Sequence, residues 1–297
     1  MQPPFTLKTS IDYITLSMKN IDFSGLQRIL LNDPNISFIH NHIVKGKFDW
    51  VQELYVGDPF NKSLKIATSR KSYFLPATLK IEEPDRAVLN FIQHKFSSYN
   101  IKYVITSMEL TFDYLVKNAK SVMDMHLMLV RHAYLKHPGK SFNIFYDTTI
   151  YLGNCRLTRS KAGRIYIKDP EGKARMELIF KRAFLKRHNI DTLDDIMDYP
   201  IEPILRKALG IKELDLNRYA KKYYWKISNN HDDSMSNEHY KEIVRAELYE
   251  ILQIRDTQGI NEAFRYMNAR VSGPYDCIKA YEFNVIFYDR ISGRKIV

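Results

Sequence analysis

Alternation of polar and apolar residues in the segment Arg-Ile-Tyr-Ile-Lys constrains the fold of this chain more than any other feature. Side chains on a β-strand point alternately to opposite faces of the sheet, so the pattern predicts a strand with one polar and one buried face. Arg164, Tyr166 and Lys168 would share the polar face, while Ile165 and Ile167 point into a core. A phenol flanked by two cations is a candidate nucleophile for a phosphodiester, so this strand is the first candidate site.

A second alternating segment, Met-Glu-Leu-Thr-Phe-Asp, places acids on a strand. Glu109, Thr111 and Asp113 fall on one face, and the apolar residues between them fall on the other. Two carboxylates on one face can share a hard divalent cation, which prefers oxygen ligands, and Glu177 is a candidate for a third ligand. The alternative interpretation is an exposed face whose acids pair with neighbouring lysines and arginines.

Strand and helix patterns follow one another along the 297 residues without regular βαβ spacing or a glycine-rich turn. This arrangement predicts an α+β fold, with a largely antiparallel sheet core and flanking helices, followed by a mostly helical C-terminal segment. We predict a core over residues 1–190. Residues 191–297 would form a mainly helical region with a final strand, packed on that core.

Individual elements follow from periodicity. The predicted strands, apart from the tyrosine strand, are Thr6–Ser17, Trp50–Tyr55, Tyr73–Ile81, Ile101–Tyr114, Asn143–Leu152 and Ala280–Tyr288. The predicted helices are Phe23–Leu31 with Ser24 as its cap, Arg86–Ile92, Ser121–Leu135, a helix from about Glu177 to His188, and five segments between residues 193 and 267. The polar, basic stretch Gly153–Gly163 is predicted to be a surface loop.

The charge of the chain favours a polyanionic partner, because its net charge is +11 and its pI is about 9.3. Between Arg156 and Arg187, eleven lysines and arginines face three acids. We predict that cations in this stretch bind DNA, namely Arg156, Arg159, Lys161, Arg175, Lys181 and Arg182.

Although the charge would also suit an anionic membrane surface, we expect no membrane partner and no disulfide framework. No apolar run reaches the roughly 18–20 residues that span a bilayer, and the N-terminus lacks the order of a signal peptide. The two cysteines, Cys155 and Cys277, suit a reducing cytoplasm and form no metal cluster.

The tyrosine strand and the acidic strand together suggest phosphoryl transfer. A phenol has a pKa near 10 and is a poor nucleophile at neutral pH unless cations lower that value. Arg164 and Lys168 would favour the phenolate, and Mg²⁺ or Mn²⁺ would polarise the scissile phosphate. The product would be a phosphotyrosine and a free 3′-OH. No general base is identified by the sequence.

The motifs also resemble a known family. The order Ile-Tyr-Leu-Gly, a basic loop, Arg-Ile-Tyr-Ile-Lys and Arg-x-Glu resembles rolling-circle replication initiators of the Rep_trans type. The upstream acids, separated by three residues, fit as well, and Ala174–Ile190 is similar to filamentous-phage gene II replication proteins. The resemblance spans about residues 105–190, with Met108 and Glu109 where the family often has arginine and aspartate.

The resemblance implies that Tyr166 is the nicking tyrosine, that Lys168 assists it, and that Glu109, Asp113 and Glu177 bind the metal. Tyr151 and Gly153 match a structural Tyr-x-Gly strand end. The implied function is an endonuclease that nicks an origin, at a single-stranded or hairpin site, to start rolling-circle replication. We further expect a homodimer and contacts with a host helicase and polymerase. Two alternatives stay open: a conjugative relaxase of the same chemistry, and a non-catalytic DNA-binding regulator.

Two further features have competing interpretations. His40 and His42 are similar to the paired histidines of HUH nickases, although alternate histidines are commonly packing residues, as are His126, His132 and His137. The segment 219–226 interleaves aromatic residues with lysines, which would suit stacking on single-stranded bases, but an amphipathic helix explains it equally well.

Overall fold

The computed structural model confirms the α+β class and the antiparallel sheet. It describes residues 6–42, 50–58, 60–68, 77–116, 119–136, 143–146, 149–152, 161–169, 172–198, 201–229, 235–281, 287–288 and 295–296.

A ten-stranded sheet forms the centre of the molecule, and its paired strands all run antiparallel. In spatial order its strands are β2 (Ile36–His42), β3 (Trp50–Val56), β4 (Lys62–Thr68), β5 (Thr78–Glu82), β1 (Thr6–Met18), β6 (Tyr103–Leu115), β11 (Lys173–Lys181), β10 (Lys161–Asp169), β9 (Thr149–Leu152) and β8 (Ile144–Tyr146). The acidic strand and the tyrosine strand are therefore separated only by β11.

Two smaller sheets accompany it. One consists of β13 (Ile278–Tyr281), β12 (Leu209–Leu214) and β7 (Ala133–Leu135), and the other of β14 (Phe287–Tyr288) and β15 (Lys295–Ile296). Because β7 belongs to the first half of the chain and β12 to the second, their pairing ties the C-terminal region to the sheet region.

The helices of the described residues are α1 (Phe23–Leu31), α2 (Arg86–Ser98), α3 (Ala119–His132), α4 (Arg182–Arg187), α5 (Leu193–Asp198), α6 (Ile201–Ala208), α7 (Leu216–Asn229), α8 (Asn237–Gln258) and α9 (Ile260–Arg270), with a 3₁₀ turn at Pro274–Cys277. Gly259 joins α8 to α9 with a φ of +96°, a left-handed conformation that glycine adopts readily. Within the described part of the chain, none of the helices combines the length and hydrophobicity needed to cross a bilayer.

Alternation along β6, β10 and β11 gives the sheet its two faces. One face carries Leu110, Phe112, Ile165, Met176 and Leu178, all fully buried, and α3 packs across β10 and β11. The opposite face carries the polar side chains of the same strands. The apolar face therefore holds the three strands together and fixes the positions of the polar residues behind it.

Two hydrophobic clusters divide the interior. The first comprises the sheet and α1 to α6, and the second lies among α7, α8, α9 and the 3₁₀ turn. A buried carboxylate, Glu247, anchors the second cluster, where it accepts hydrogen bonds from the Tyr219 and Tyr266 hydroxyls at 2.9 and 3.2 Å and pairs with Arg270 at 3.1 Å. The predicted division at residue 190 stays a prediction.

Several predicted elements were wrong in kind or extent. The helix predicted from Glu177 is mostly strand β11, because Ala174, Met176, Leu178 and Phe180 bury alternate positions, and α4 begins only at Arg182. The helix predicted to reach Leu135 ends at His132, and the next three residues form strand β7.

The sequence also left elements and a cap unrecognised. Strands β2, β4 and β12 were not predicted, and the predicted strand from Tyr73 begins at Thr78 within the described residues. The cap of α1 is Asp22 rather than Ser24, since the Asp22 carboxylate accepts a hydrogen bond from the Gly25 amide at 2.8 Å.

Candidate active site

Strands β6, β11 and β10 bring the predicted tyrosine and acids onto one face. In the strand register Glu177 lies opposite Arg164 on one side and opposite Thr111 on the other. Arg175, two residues before Glu177, lies opposite Tyr166 and Asp113. These residues, together with Glu109, are referred to below as the strand site.

The Tyr166 phenol donates a hydrogen bond to Glu177, whose side chain is only 1% exposed. This contact follows from the register, because Glu177 lies diagonally across from Tyr166 on the neighbouring strand. The carboxylate therefore stands where it can accept the phenolic proton. Sequence reasoning had named no proton acceptor, and the structure supplies one.

Burial and the Glu177 carboxylate raise the pKa of Tyr166 to about 12. The prediction that neighbouring cations lower this pKa was wrong, because the pKa is raised. Arg175 does act to lower it, through a hydrogen bond to the phenol. The physical reasons are the burial of the phenol, which is the larger effect, and its hydrogen bond to the Glu177 anion. The resting tyrosine is therefore protonated at neutral pH.

Arg164 lies between two buried carboxylates. Its guanidinium pairs with Glu177 and, at 3.1 Å, with Glu109, which is also 1% exposed. Burial and the like charge of Glu177 raise the pKa of Glu109 to about 7. Glu177 also lies 3.8 Å from the Arg175 guanidinium. Two desolvated acids side by side form a site that favours positive charge.

Asp113 belongs to a separate pair. Both of its oxygens accept hydrogen bonds from Arg175, at 2.6 and 2.9 Å, in the bidentate geometry typical of arginine and a carboxylate. Asp113 is four residues from Glu109 along an extended strand, a separation of about 13 Å. Accordingly, no three acids, histidines or cysteines among the described residues form a group that could hold a metal ion. The predicted three-carboxylate cluster is not formed.

An oxygen donor set for a cation nevertheless exists around Glu109 and Glu177. The Thr111 hydroxyl lies between Glu109 and Asp113 on β6, is buried, and makes no hydrogen bond to any described residue. A buried hydroxyl without a partner is uncommon and costs free energy unless an unseen group satisfies it. Two carboxylates and a hydroxyl suit a hard divalent cation, so the residues fit the predicted metal with Thr111 in place of Asp113.

Tyr13 is part of the site and was missed by sequence reasoning. It lies opposite Glu109 on β1, immediately after an irregularity in strand pairing, and its phenol donates a hydrogen bond to the Glu109 carboxylate. Burial and that carboxylate raise its pKa well above the usual range. The sequence signal that could have placed Tyr13 on the polar face is the alternation of β1. The extra residue in that strand disturbs the alternation near Tyr13.

Lys168 was predicted to share the polar face with Tyr166 and to assist it. Pairing between β10 and β11 becomes irregular between Ile167 and Asp169, and the Lys168 side chain is exposed at this strand end. Arg175 and Arg164 both interact with Tyr166, and the Arg164 guanidinium carbon lies 5.8 Å from the Tyr166 ring centre. The assistance of Lys168 to the tyrosine stays a prediction.

The predicted DNA-binding cations are differently engaged. Arg156 and Arg159 lie outside the described residues, whereas Arg182 pairs with Asp191 and Arg175 is held by Asp113. Lys181 is half-buried at the start of α4.

Lys161 belongs to a basic patch. Burial and the positive charges of Arg187 and Lys136 lower its pKa to about 8. Burial and the positive charges of Lys207, Arg187 and Lys161 lower the pKa of His188. A group of cations that depress one another's pKa values favours an anionic ligand, and this patch is the part of the basic segment best suited to a phosphate backbone.

The histidines do not join the strand site. His40 and His42 lie on β2 at the far edge of the sheet, seven strand positions from β10, which is roughly 33 Å at the usual strand spacing. His132 Nδ1 lies 3.0 Å from the Lys212 carbonyl oxygen, His126 is buried, and His137 falls outside the described residues.

Comparisons with known proteins find similarity only among solved structures. No family model matches the sequence, and no curated protein matches it. Among solved structures, the chain is similar to a rolling circle replication initiator protein from Geobacillus stearothermophilus, with 13% sequence identity and a TM-score of 0.36, over 86% of this chain and 99% of that one. At this TM-score the function of the present chain must be inferred from its own residues.

Proposed function

We propose that this chain nicks one strand of DNA at an origin through Tyr166, with the help of a divalent cation, and thereby initiates rolling-circle replication. The observation that supports the proposal is the hydrogen bond from the Tyr166 phenol to buried Glu177, with two guanidinium groups alongside. The initiator role rests on the resemblance of the sequence motifs around these same residues.

The strand site supplies a nucleophile and a proton acceptor in contact. Tyr166 Oη attacks the phosphorus atom while its proton passes to Glu177, and the bond from phosphorus to the 3′ oxygen breaks. The 5′ phosphate is then esterified to tyrosine, and the 3′ oxygen takes a proton from water to become a 3′-OH primer. A later attack by a 3′-OH on the phosphotyrosine would close the strand by the reverse steps.

Arg164 and Arg175 would have different roles next to the phenol, one toward the phosphate and one toward the tyrosine. Arg164 is 35% exposed, so its guanidinium can exchange a carboxylate for a phosphate oxygen. Arg175 is 13% exposed and held in place by Asp113. The arginine that can move is therefore the one suited to a phosphate, and the fixed one orients the phenol.

Glu109, Glu177 and Thr111 would hold the cation. A bound Mg²⁺ or Mn²⁺ would polarise the scissile phosphate and offset charge in the transition state. Tyr13 would orient Glu109 through its hydrogen bond, as residues behind metal ligands commonly do. Because Arg164 contacts both acids, cation binding requires its guanidinium to move toward the phosphate.

Covalent adduct formation tests the proposal. Purified protein is mixed with Mg²⁺ or Mn²⁺ and single-stranded oligonucleotides that tile the origin region of its own element, and a denaturing gel reveals adducts. We expect Tyr166→Phe to lower adduct formation at least about a thousandfold while binding of uncleaved oligonucleotide is kept.

Tyr55→Phe is the matched control, because Tyr55 lies on β3 in the same sheet and bonds only to Asn61 in the described contacts. It should form adduct like the wild type. Tight duplex binding with no adduct on any oligonucleotide would instead support a DNA-binding regulator.

A further inference from the structure

We propose a second single-stranded DNA site, a groove beside α7 in which one base stacks on Trp225 and lysines bind the adjoining phosphates. The groove is lined by Lys221, Lys222, Trp225, Lys226, Val271 and Ser272, has a volume of about 630 Å³, and is called the tryptophan groove below. The inference deepens the proposed function and rests on it, because it names another contact for the same nucleic acid.

Helix α7 is amphipathic in a way that separates its aromatic residues. Tyr219 is fully buried and its ring lies parallel to that of Tyr223, 5.9 Å away, in the second hydrophobic cluster. Trp225 is 69% exposed on the other side of the helix. The amphipathic-helix interpretation therefore explains the tyrosines of this segment but leaves Trp225 without a structural role.

The helical repeat places cations around this tryptophan. Lys221 precedes Trp225 by four residues, and Arg218 and Lys222 lie on the same side of the helix at 100° per residue. Lys221 and Lys226 form no ion pair with any described residue, and Lys226 donates to the Arg270 carbonyl, which leaves its charge uncompensated. Positive charge thus remains on both sides of the indole.

The chain holds part of the groove in a fixed shape. Lys222 donates to the Gly273 carbonyl at 2.9 Å and pairs with Asp276 at 2.5 Å, and Arg218 pairs with the same carboxylate at 2.9 Å. These contacts fasten α7 to the segment after α9. The wall formed by Val271 and Ser272 therefore stays opposite the indole.

Charge and shape together favour single-stranded nucleic acid as the occupant. An exposed indole offers a flat surface to an unpaired base, whereas bases within a duplex are already stacked on each other. Lysines at its flanks suit phosphates that repeat along the strand. An acidic peptide would satisfy the lysines but has no need of the exposed indole.

Binding of oligo(dT) 20-mer to the full chain in EDTA tests the inference without any cleavage. We expect Trp225→Ala to weaken binding about tenfold, within the range for loss of one stacked base. The bound strand should quench tryptophan fluorescence in the wild type. The chain has only two tryptophans, so loss of quenching in the variant assigns the signal to Trp225.

Two exposed residues on α8 provide matched controls. Tyr249 is 70% exposed, and Tyr249→Ala should bind oligo(dT) like the wild type.

Lys221→Ala should lower the magnitude of the slope of log affinity against log salt by about 0.7, the value for one phosphate contact on a single strand. Lys241→Ala removes a lysine that already pairs with Glu238 at 3.1 Å and should leave that slope unchanged.

Three results would overturn the inference: unchanged oligo(dT) affinity in Trp225→Ala, an equal loss for a 20-base-pair duplex, or poly-glutamate binding as tightly and with the same dependence on Trp225. Because Trp225 is exposed, thermal unfolding of the variant should match the wild type. The readout is independent of the strand site, so absence of a Tyr166 adduct with intact Trp225-dependent binding would overturn only the nicking proposal.

Discussion

The strand site and the tryptophan groove use their cations in opposite ways. In the strand site Arg164 and Arg175 contact the carboxylates of Glu109, Glu177 and Asp113. In the groove, lysines contact backbone carbonyls or solvent, and one exposed carboxylate, Asp276, offsets two cations. Neutralised, buried charges suit the positioning of a reacting phosphate, whereas uncompensated, exposed charges suit attraction of a polyanion.

Removal of the Glu177 charge should have the largest effect of the substitutions considered below. Glu177→Gln removes the acceptor of the Tyr166 proton and a partner of Arg164, so adduct formation should fall about a hundredfold to a thousandfold. The initial rate of adduct formation, on an oligonucleotide that the wild type cleaves, measures this loss. Glu82→Gln, which alters an acid of the same sheet that pairs with Lys65 and Lys80, should cleave normally. Normal cleavage by Glu177→Gln would remove it from the mechanism.

Loss of an arginine should destabilise the protein when the arginine belongs to the strand site but not when it lies beside the tryptophan groove. Arg175→Gln leaves Asp113 largely buried without its bidentate partner, and we expect the free energy of unfolding to fall by about 2–4 kcal/mol. Arg218→Gln breaks an exposed pair with Asp276 and should leave the urea midpoint unchanged. Equal effects of the two substitutions would contradict the contrast between buried and exposed charges.

The pH dependence of stability should identify Glu109. Its pKa in the folded protein, about 7, lies above the ordinary 4.5, so the protonated form is stabilised by folding. That stabilisation is complete below pH 4.5 and is lost as the pH rises through about 7. In EDTA, the free energy of unfolding of wild type minus Glu109→Gln should decrease by on the order of 2 kcal/mol between pH 4.5 and 8.

Glu82 provides a control of opposite sign. Lys80 and Lys65 lower its pKa, so its stabilisation is present above its ordinary value and is lost as the pH falls. The difference between wild type and Glu82→Gln should therefore increase with pH. A Glu109→Gln difference that also increased with pH would show that Arg164, rather than burial, dominates at Glu109.

Tyr13→Phe should have the smallest effect. It removes the hydrogen bond to Glu109 but keeps the ring, and should raise the Mg²⁺ concentration for half-maximal adduct formation about tenfold. The rate at saturating Mg²⁺ should change little, because Tyr13 contacts Glu109, the proposed metal ligand, and not the phenol. A loss of rate at all Mg²⁺ concentrations would indicate that Tyr13 has a direct role in the reaction.

Sequence periodicity predicted the central part of the fold because β6 and β10 alternate strictly, and both strands were found. It failed at β11, where Glu177-Leu-Ile-Phe suggested the start of a helix although burial of alternate residues makes it a strand. Tyr166, Glu109, Glu177 and Arg164 do meet on one face. The two-residue repeat of a strand predicted the faces of Tyr166, Arg164 and Glu109, whereas Glu177 was named as a candidate ligand although its segment was predicted to be a helix.

Contacts that depend on strand register were not predicted. The pairing of Arg175 with Asp113 requires knowing that β11 lies between β6 and β10, and the sequence does not state the order of strands in space. Tyr13 was missed for the same reason, since its partner Glu109 lies nearly a hundred residues away on a strand with disturbed alternation. Thr111 was seen only as a spacer because its burial is a tertiary property.

Peptide mapping of the covalent adduct tests the central claim most directly. After nicking and tryptic digestion, mass spectrometry locates the attached nucleotide on one of two distinguishable tyrosine peptides of the site, residues 165–168 with Tyr166 or residues 9–19 with Tyr13. We predict that the nucleotide is attached to Tyr166. Attachment to Tyr13 or to any other residue, or the absence of any adduct, would contradict the assignment of Tyr166 as the nucleophile.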